Sequence, residues 1–114
     1  MKYAILIMSN PEAIGQLSES ETEAWSKDVY AWYEKWGATG KLADGGAELD
    51  DARKAKTVRA SGITDGPFIE AKEVVAGFSV LETDTIDEAV EIGGTWPGVD
   101  RGLITIEVRP VLEH

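Results

Sequence analysis

The chain has no cysteine and a single histidine, His114, among its 114 residues. Without cysteine it has no disulfide and no thiolate nucleophile. We interpret 112–114 (Leu-Glu-His) as the start of a vector-encoded polyhistidine tag and expect residues 1–111 to form a single domain. The domain itself then contains no histidine, which is the side chain that acid–base catalysis near neutral pH recruits most often.

Basic residues and long apolar runs are also scarce. There are 11 Lys and Arg residues against 21 Asp and Glu, which gives a formal net charge of −10. Since nucleic-acid-binding proteins usually present a basic face, we do not expect a nucleic-acid partner. No stretch approaches the roughly 18 apolar residues of a membrane span, and the apolar stretch 3–8 is too short for a signal peptide. These absences fit a cytoplasmic protein.

The sequence also lacks the motifs that would hold a cofactor or a metal ion. The glycine pairs Gly45-Gly46 and Gly93-Gly94 do not have the spacing of a phosphate-binding loop. Without histidine and cysteine, a metal site would rest on carboxylates alone, and no such constellation stands out. We therefore predict no cofactor and no metal.

Hydrophobic periodicity and helix-capping signals predict the first half of the fold. Residues 2–8 are apolar on both faces, as in a central strand that is covered on both sides. The segment 18–21 (Ser-Glu-Ser-Glu) has the spacing of a capping box and opens a helix over about 19–38. One stripe of this helix is aromatic and is predicted to pack in the core: Trp25, Val29, Trp32 and Trp36.

The second half alternates between strands and one helix. It contains a short irregular strand at 41–49, a strand at 56–61, a turn at 62–68, a strand at 72–83, a helix capped at 85–88 and ended by Gly93-Gly94, and a strand at 103–109. The order is therefore βαββαβ, a ferredoxin-like α+β arrangement, with an additional hairpin strand left open.

Two helices cover only one face of such a sheet, so the other face has a different environment. We assign the aliphatic face of the strands at 72–83 and 103–109 to the helices. The opposite face is semi-polar and suits a dimer interface that encloses a pocket. We assign to it Ser79, Thr105, Glu107 and Arg109 with Val75 and Leu81.

The run from Thr64 to Glu73 is the most distinctive part of the chain. It joins a tight turn, Asp65-Gly66-Pro67, to Phe68, a charged Glu-Ala-Lys-Glu segment and an apolar strand. Turn geometry explains Asp-Gly but does not require Phe and the charges in that order. The run resembles the signature of the DGPF, or YCII-related, family of small bacterial proteins. Further segments resemble the family in the same order: 1–3, 37–40, 57–59, 77–78, 87–89 and 106–111.

The resemblance implies a ferredoxin-like domain that pairs through its sheet into a dimeric α+β barrel. Some YCII-like proteins look like lyases or dehydrohalogenases built around a histidine and an aspartate, and the wider superfamily includes isomerases and cofactor-free monooxygenases. DGPF proteins are also often encoded beside, or fused to, extracytoplasmic-function sigma factors. The aspartate carries over to Asp65, whereas the histidine has no counterpart outside the presumed tag.

These considerations favour a homodimeric small-molecule-binding protein in which catalysis is not established. One alternative is a cofactor-free lyase or isomerase with Asp65 as general acid or base. The other is a non-enzymatic regulatory partner of a sigma factor.

Each candidate residue also has a structural explanation. Asp65 is a favourable turn residue as well as a candidate catalytic group. Phe68 suits a core plug or a ligand platform. Arg59 or Arg109 suits a clamp for a small anionic metabolite or an ion pair with Glu107. Ser79 and Glu107 complete the candidate binding residues.

Overall fold

The computed structural model describes residues 1–66 and 72–113. Four strands form an antiparallel sheet: β1 (Lys2–Ser9), β2 (Leu42–Glu48), β5 (Val74–Glu82) and β6 (Ile104–Pro110). Two more, β3 (Lys56–Arg59) and β4 (Gly62–Asp65), form a separate hairpin. The helices are α1 (Pro11–Gly15), α2 (Glu19–Thr39) and α3 (Ile86–Gly94).

The sheet order is β2–β5–β1–β6, so the first strand lies in the middle between the two later ones. With the chain order, this is the ferredoxin-like topology, and the α+β prediction is confirmed. The β3–β4 hairpin is the additional element that the sequence left open. The turn predicted at 62–68 is wrong for residues 62–65, because Val58 pairs with Ile63 and Arg59 with Gly62 in a ladder. Two β-branched side chains opposite each other favour this strand pairing.

Capping explains where the helices begin. The Glu21 N–H donates to Ser18 Oγ at 3.1 Å, and the Ser18 N–H donates to Glu21 Oε1 at 2.9 Å, so the predicted capping box of α2 is confirmed. Helix α1 was not predicted, although Asn10 caps it at the Ala13 N–H and Pro11 occupies its first turn. Asparagine at the cap and proline just inside are typical of a helix start. None of the helices in the described ranges is long and apolar enough to cross a membrane.

The core lies between the sheet and the helices. Tyr3, Ile5 and Ile7 of β1 are buried beside Trp32 of α2 and Ile92 of α3. Trp25, Val29 and Trp36 pack against this cluster, which confirms the predicted role of the aromatic stripe. Two indole N–H groups find acceptors: Trp32 Nε1 donates to Thr95 Oγ1 and Trp25 Nε1 to the Pro97 carbonyl.

The prediction of which strand face packs against the helices is confirmed for β6 and is partly wrong for β5. On β6, Ile104 is buried and Ile106 and Val108 pack against the core, as predicted. On β5, the assignment of Ser79 and Leu81 was wrong, because they pair with buried Ile5 and Tyr3 and lie under the helices, whereas Val75 pairs with Met8 and is exposed on the face predicted for it. Both faces of β5 carry apolar residues, so periodicity alone could not choose between them. The register with β1 decides it, with a bulge at Ile7/Met8.

Helix α3 ends at Gly94, within the glycine pair predicted to end it, and Gly93 packs against the sheet. A Cβ at this position would lie 3.2 Å from Ile106 Cγ2 and 3.7 Å from Ile5 Cγ2. The missing side chain therefore lets α3 approach the sheet closely.

Candidate functional site

A cleft of about 690 Å³ lies between α2 and the sheet edge formed by β2. We call it the α2–β2 cleft. Its volume is within the usual range for small-molecule sites. Helix α2 contributes Trp25, Val29, Tyr30 and Tyr33, β2 and the following residue contribute 42–49, and β5 contributes 76–79.

The polar centre of the cleft is a pair of hydroxyl groups. Tyr33 Oη and Ser79 Oγ lie 2.9 Å apart, and Ser79 is only 5% exposed. The Tyr33 ring is held edge-on against Trp32 at 4.9 Å and Trp96 at 6.4 Å between ring centres. In such a pair one hydroxyl donates to the other, and the second keeps its own hydrogen. The cleft can therefore offer a donor and acceptor lone pairs at a fixed place.

The charges at the cleft are of one sign. Asp44 and Glu48 of β2 line it, and the described lining contains no lysine or arginine. In the described part of the chain, neither carboxylate has a basic group within ion-pair distance. Both residues are solvent-exposed, so the acidic groups lie towards the mouth.

A second cleft of about 570 Å³ lies where α2 meets the segment after α3. Glu21, Asp28, Asp100 and Arg101 contribute to it. Glu21 already accepts the Ser18 N–H, and this hydrogen bond lowers the pKa of its carboxyl. Because one of its acids is committed to helix capping, this cleft is the weaker candidate. Trp96 lines both clefts.

The structure places Asp65 apart from both clefts. Asp65 ends β4, is exposed, and accepts a hydrogen bond from Lys56 Nζ at 2.5 Å. It is absent from the described lining of either cleft. Phe68 lies outside the described residues. The catalytic role of Asp65 and the binding role of Phe68 stay predictions.

The other candidate residues are divided between three places. Arg59 lies in β3 of the separate hairpin, outside the four-stranded sheet. Glu107 and Arg109 lie on the sheet face away from the helices, and Arg109 Nε is 3.8 Å from Glu107 Oε2, in line with the ion-pair alternative. Of the candidate residues in the described ranges, Ser79 alone lines the α2–β2 cleft.

Sequence reasoning missed Tyr33, Asp44 and Glu48. Tyr33 follows Val29 by four residues, so helical spacing places it on the sheet-facing side of α2. The tryptophans on the same side of α2 predict core packing, and Tyr33 has no sequence signal that separates it from them. Asp44 and Glu48 carry no sequence signal of their own, because only the pairing of β2 with β5 brings them to the cleft. No group of three or more His, Cys, Asp or Glu within residues 1–66 and 72–113 is arranged to hold a metal ion.

Comparisons with known proteins agree with this fold. The sequence model of the YCII-related domain family matches residues 1–114. An uncharacterised protein of Rhizobium meliloti (strain 1021) is 30% identical over 115 residues, which cover 97% of this chain and 92% of the relative. Among solved structures, 5-chloro-2-hydroxyhydroquinone dehydrochlorinase from Burkholderia phenoliruptrix, in complex with 2,5-dihydroxybenzoquinone, has a TM-score of 0.58. It is 16% identical, with 100% of this chain and 96% of that chain covered.

Proposed function

We propose that this chain, which belongs to the YCII-related domain family, binds a compact organic molecule in the α2–β2 cleft. The observation that carries the proposal is the hydrogen-bonded pair Tyr33–Ser79 inside a cleft of ligand size. Few precisely placed polar groups on mostly apolar walls are the usual design of a small-molecule site. The ligand presents an oxygen or nitrogen to the hydroxyl pair and a ring or aliphatic body to the aromatic walls.

The structural relative supports a ring-bearing ligand. That enzyme was captured with a six-membered quinoid ring, and its fold covers the whole of this chain. Its sequence identity is too low to transfer the ligand or the reaction. The hydroxyl pair and the aromatic residues of this chain therefore carry the proposal, and the relative adds the precedent of a ring compound in this fold.

Thermal-shift screening of a panel of aromatic and alicyclic metabolites, followed by calorimetry, tests the proposal. Removing one member of the pair in Tyr33→Phe should weaken a bound compound about five-fold, since a hydrogen bond within a binding site contributes about 1 kcal/mol. Tyr3→Phe is the matched control, because the Tyr3 hydroxyl contacts Met1 Sδ outside the cleft. If both variants bind the compound as the parent does, the hydroxyl pair is not part of the site.

We further propose that the sheet face away from the helices pairs with a second copy of the chain. This open face carries Leu6 and Met8 on β1, Phe78 and Val80 on β5, and Thr105, Glu107 and Arg109 on β6. Val75 beside Met8 is 48% exposed. In a two-fold dimer each Glu107 of one copy can meet Arg109 of the other, because the same patch serves both subunits.

Light scattering coupled to gel filtration tests this pairing. Val75→Glu should shift the protein from dimer to monomer, because it places a charge within the buried interface. Val90→Glu is the control, since Val90 is similarly exposed at 51% but lies on α3, on the opposite side of the sheet. A monomeric parent protein would contradict the proposal.

Catalysis is the second candidate function, and the structural relative favours it because that protein is an enzyme. In the described lining of the cleft, the ionisable groups are Tyr30, Tyr33, Asp44 and Glu48. An acid–base reaction in the α2–β2 cleft would therefore use these side chains. The cytoplasmic location and the sigma-factor association stay predictions.

A further inference from the structure

We infer that the α2–β2 cleft selects an organic cation, an ammonium group carried on a compact apolar body. The inference names the ligand class for the proposed function and therefore rests on it. It follows from two properties of the lining: the aromatic side chains of Trp25, Tyr30, Tyr33 and Trp96, and the one-sided charge of Asp44 and Glu48.

Aromatic walls attract cations through the negative faces of their rings. This attraction is strongest for tryptophan and tyrosine, and it recurs in proteins that recognise quaternary ammonium groups. Three of the five aromatic residues in the described lining come from a single helix, α2, at positions 25, 30 and 33, and the other two are Phe78 and Trp96. A rigid helix thus presents most of the aromatic surface in a fixed arrangement. The same walls also hold a neutral ring, so the sign of the ligand charge needs a separate argument.

The carboxylates supply that argument. Asp44 and Glu48 lie on the edge strand β2, and no basic residue in the described lining offsets them. A cation entering the cleft gains favourable electrostatic energy from both carboxylates, whereas an anion would face two negative charges that no basic residue of the described lining compensates. The formal net charge of −10 adds to the same preference at longer range.

The basic residues of the chain are concentrated elsewhere. Four of the 11 lie within 53–59, near or on the β3–β4 hairpin. Among them, Arg53 pairs with Asp51, Lys54 with Asp50, and Lys56 with Asp65. None of the four is in the described lining of the cleft. The sequence suggested a small anionic ligand. In the α2–β2 cleft, these four basic residues would not offset the charge of such an anion.

Three probes of similar shape and different charge test the inference on the full chain. They are benzyltrimethylammonium, benzyl alcohol and phenylacetate, titrated by calorimetry and by chemical shifts of the backbone amides of 42–49. We expect the cation to bind about ten-fold more tightly than the anion at low salt, and the difference to shrink as salt is added.

Two double variants identify the source of the preference. Asp44→Asn with Glu48→Gln should bring the cation and the anion to within about three-fold of each other. Glu23→Gln with Glu91→Gln removes the same number of charges from exposed positions outside the cleft and should preserve the preference. Circular dichroism and thermal melting establish that each variant is folded.

The outcomes separate the inference from the function on which it rests. If benzyl alcohol or phenylacetate shifts the amides of 42–49 at lower concentration than the cation does, the inference is wrong and the cleft remains a binding site. If the control variant loses the preference as fully as the cleft variant, the overall charge is responsible and the inference is again wrong. If none of the three probes shifts these amides, and the metabolite panel also gives no binding, the proposed function fails.

Discussion

The Tyr33 hydroxyl lies 2.9 Å from the Ser79 hydroxyl and links α2 to β5 across an otherwise apolar layer. Ser79 is one of two buried polar residues in the described ranges. A buried hydroxyl is costly unless it is hydrogen-bonded, so this contact favours one alignment of helix and sheet over its neighbours. The same pair faces the α2–β2 cleft, where its remaining donor is available to a ligand.

Removal of either hydroxyl should therefore destabilise the fold by about 1 kcal/mol, because the partner is left without this hydrogen bond. The variants are Tyr33→Phe and Ser79→Ala, and urea unfolding measures the free energy. In the double variant the cost should be less than the sum of the two by at least about 0.5 kcal/mol. Strictly additive costs would show that the two hydroxyls do not interact.

Two glycines with positive φ differ in how crowded their surroundings are. Replacing each by alanine therefore separates the cost of backbone strain from the cost of crowding. Gly98 has φ +101°, and a Cβ there would lie 3.0 Å from Trp25 Nε1 and 3.2 Å from Leu103 Cβ. Gly102 has φ +71° with open space around it. Gly102→Ala should cost about 1 kcal/mol from backbone strain alone, and Gly98→Ala about 2–4 kcal/mol because crowding adds to it. Equal costs in thermal unfolding would mean that the packing around Trp25 yields without penalty.

The ion pair between Lys41 and Glu88 predicts a pH dependence of stability. Lys41 Nζ donates to Glu88 Oε2 at 2.8 Å, and this bond, with the Asp84 N–H, lowers the pKa of the Glu88 carboxyl. A lowered folded-state pKa means that the contribution is present above the unfolded value, roughly 4.3, and is lost as the pH falls through the lower folded value. The stability difference between the parent and Glu88→Gln should therefore be fully present near pH 6, above the unfolded value, and should decrease as the pH falls below that value.

The pair is partly exposed, so added salt should reduce the same difference. Glu91→Gln is a suitable control, since Glu91 is an exposed acid on the same helix, α3. A difference that does not change with pH would show that Glu88 acts through its packing or its helix position rather than through its charge.

The elements that the sequence predicted are those with local causes. The capping box at Ser18 and the aromatic stripe of α2 are set by residues three and four positions apart, which sequence spacing reveals. The side on which Ser79 lies is set by the pairing of β5 with β1, and a bulge at Ile7/Met8 shifts that register. Such pairing involves residues about 70 positions apart, so spacing within β5 could not reveal it.

The same distinction applies to the candidate site. Asp65 and Arg59 stood out because a motif or a charge marked them, whereas the cleft is assembled from ordinary residues brought together by topology. Tyr33, Asp44 and Ser79 come from α2, β2 and β5 and share no motif. Only the sheet order places these three elements side by side.

Asp65 lies apart from the α2–β2 cleft and Asp44 lines it. Matched variants of these two residues therefore test which carboxylate belongs to the functional site. Asp65→Asn removes a carboxylate that contacts Lys56 on an exposed hairpin, and exposed ion pairs contribute little. We expect it to leave the free energy of unfolding within about 0.5 kcal/mol and the affinity for benzyltrimethylammonium within about two-fold. Asp44→Asn, the matched change at the cleft, should weaken that affinity by about three-fold or more.

Both variants are compared by calorimetry under identical salt, and any turnover found for a metabolite is measured in parallel. If Asp65→Asn loses binding or turnover and Asp44→Asn does not, the site lies at the β3–β4 hairpin, and the sequence-based assignment of Asp65 is correct. The reverse result would place the chemistry at the edge strand β2. The signature would then identify the family without supplying the acidic group of its cleft.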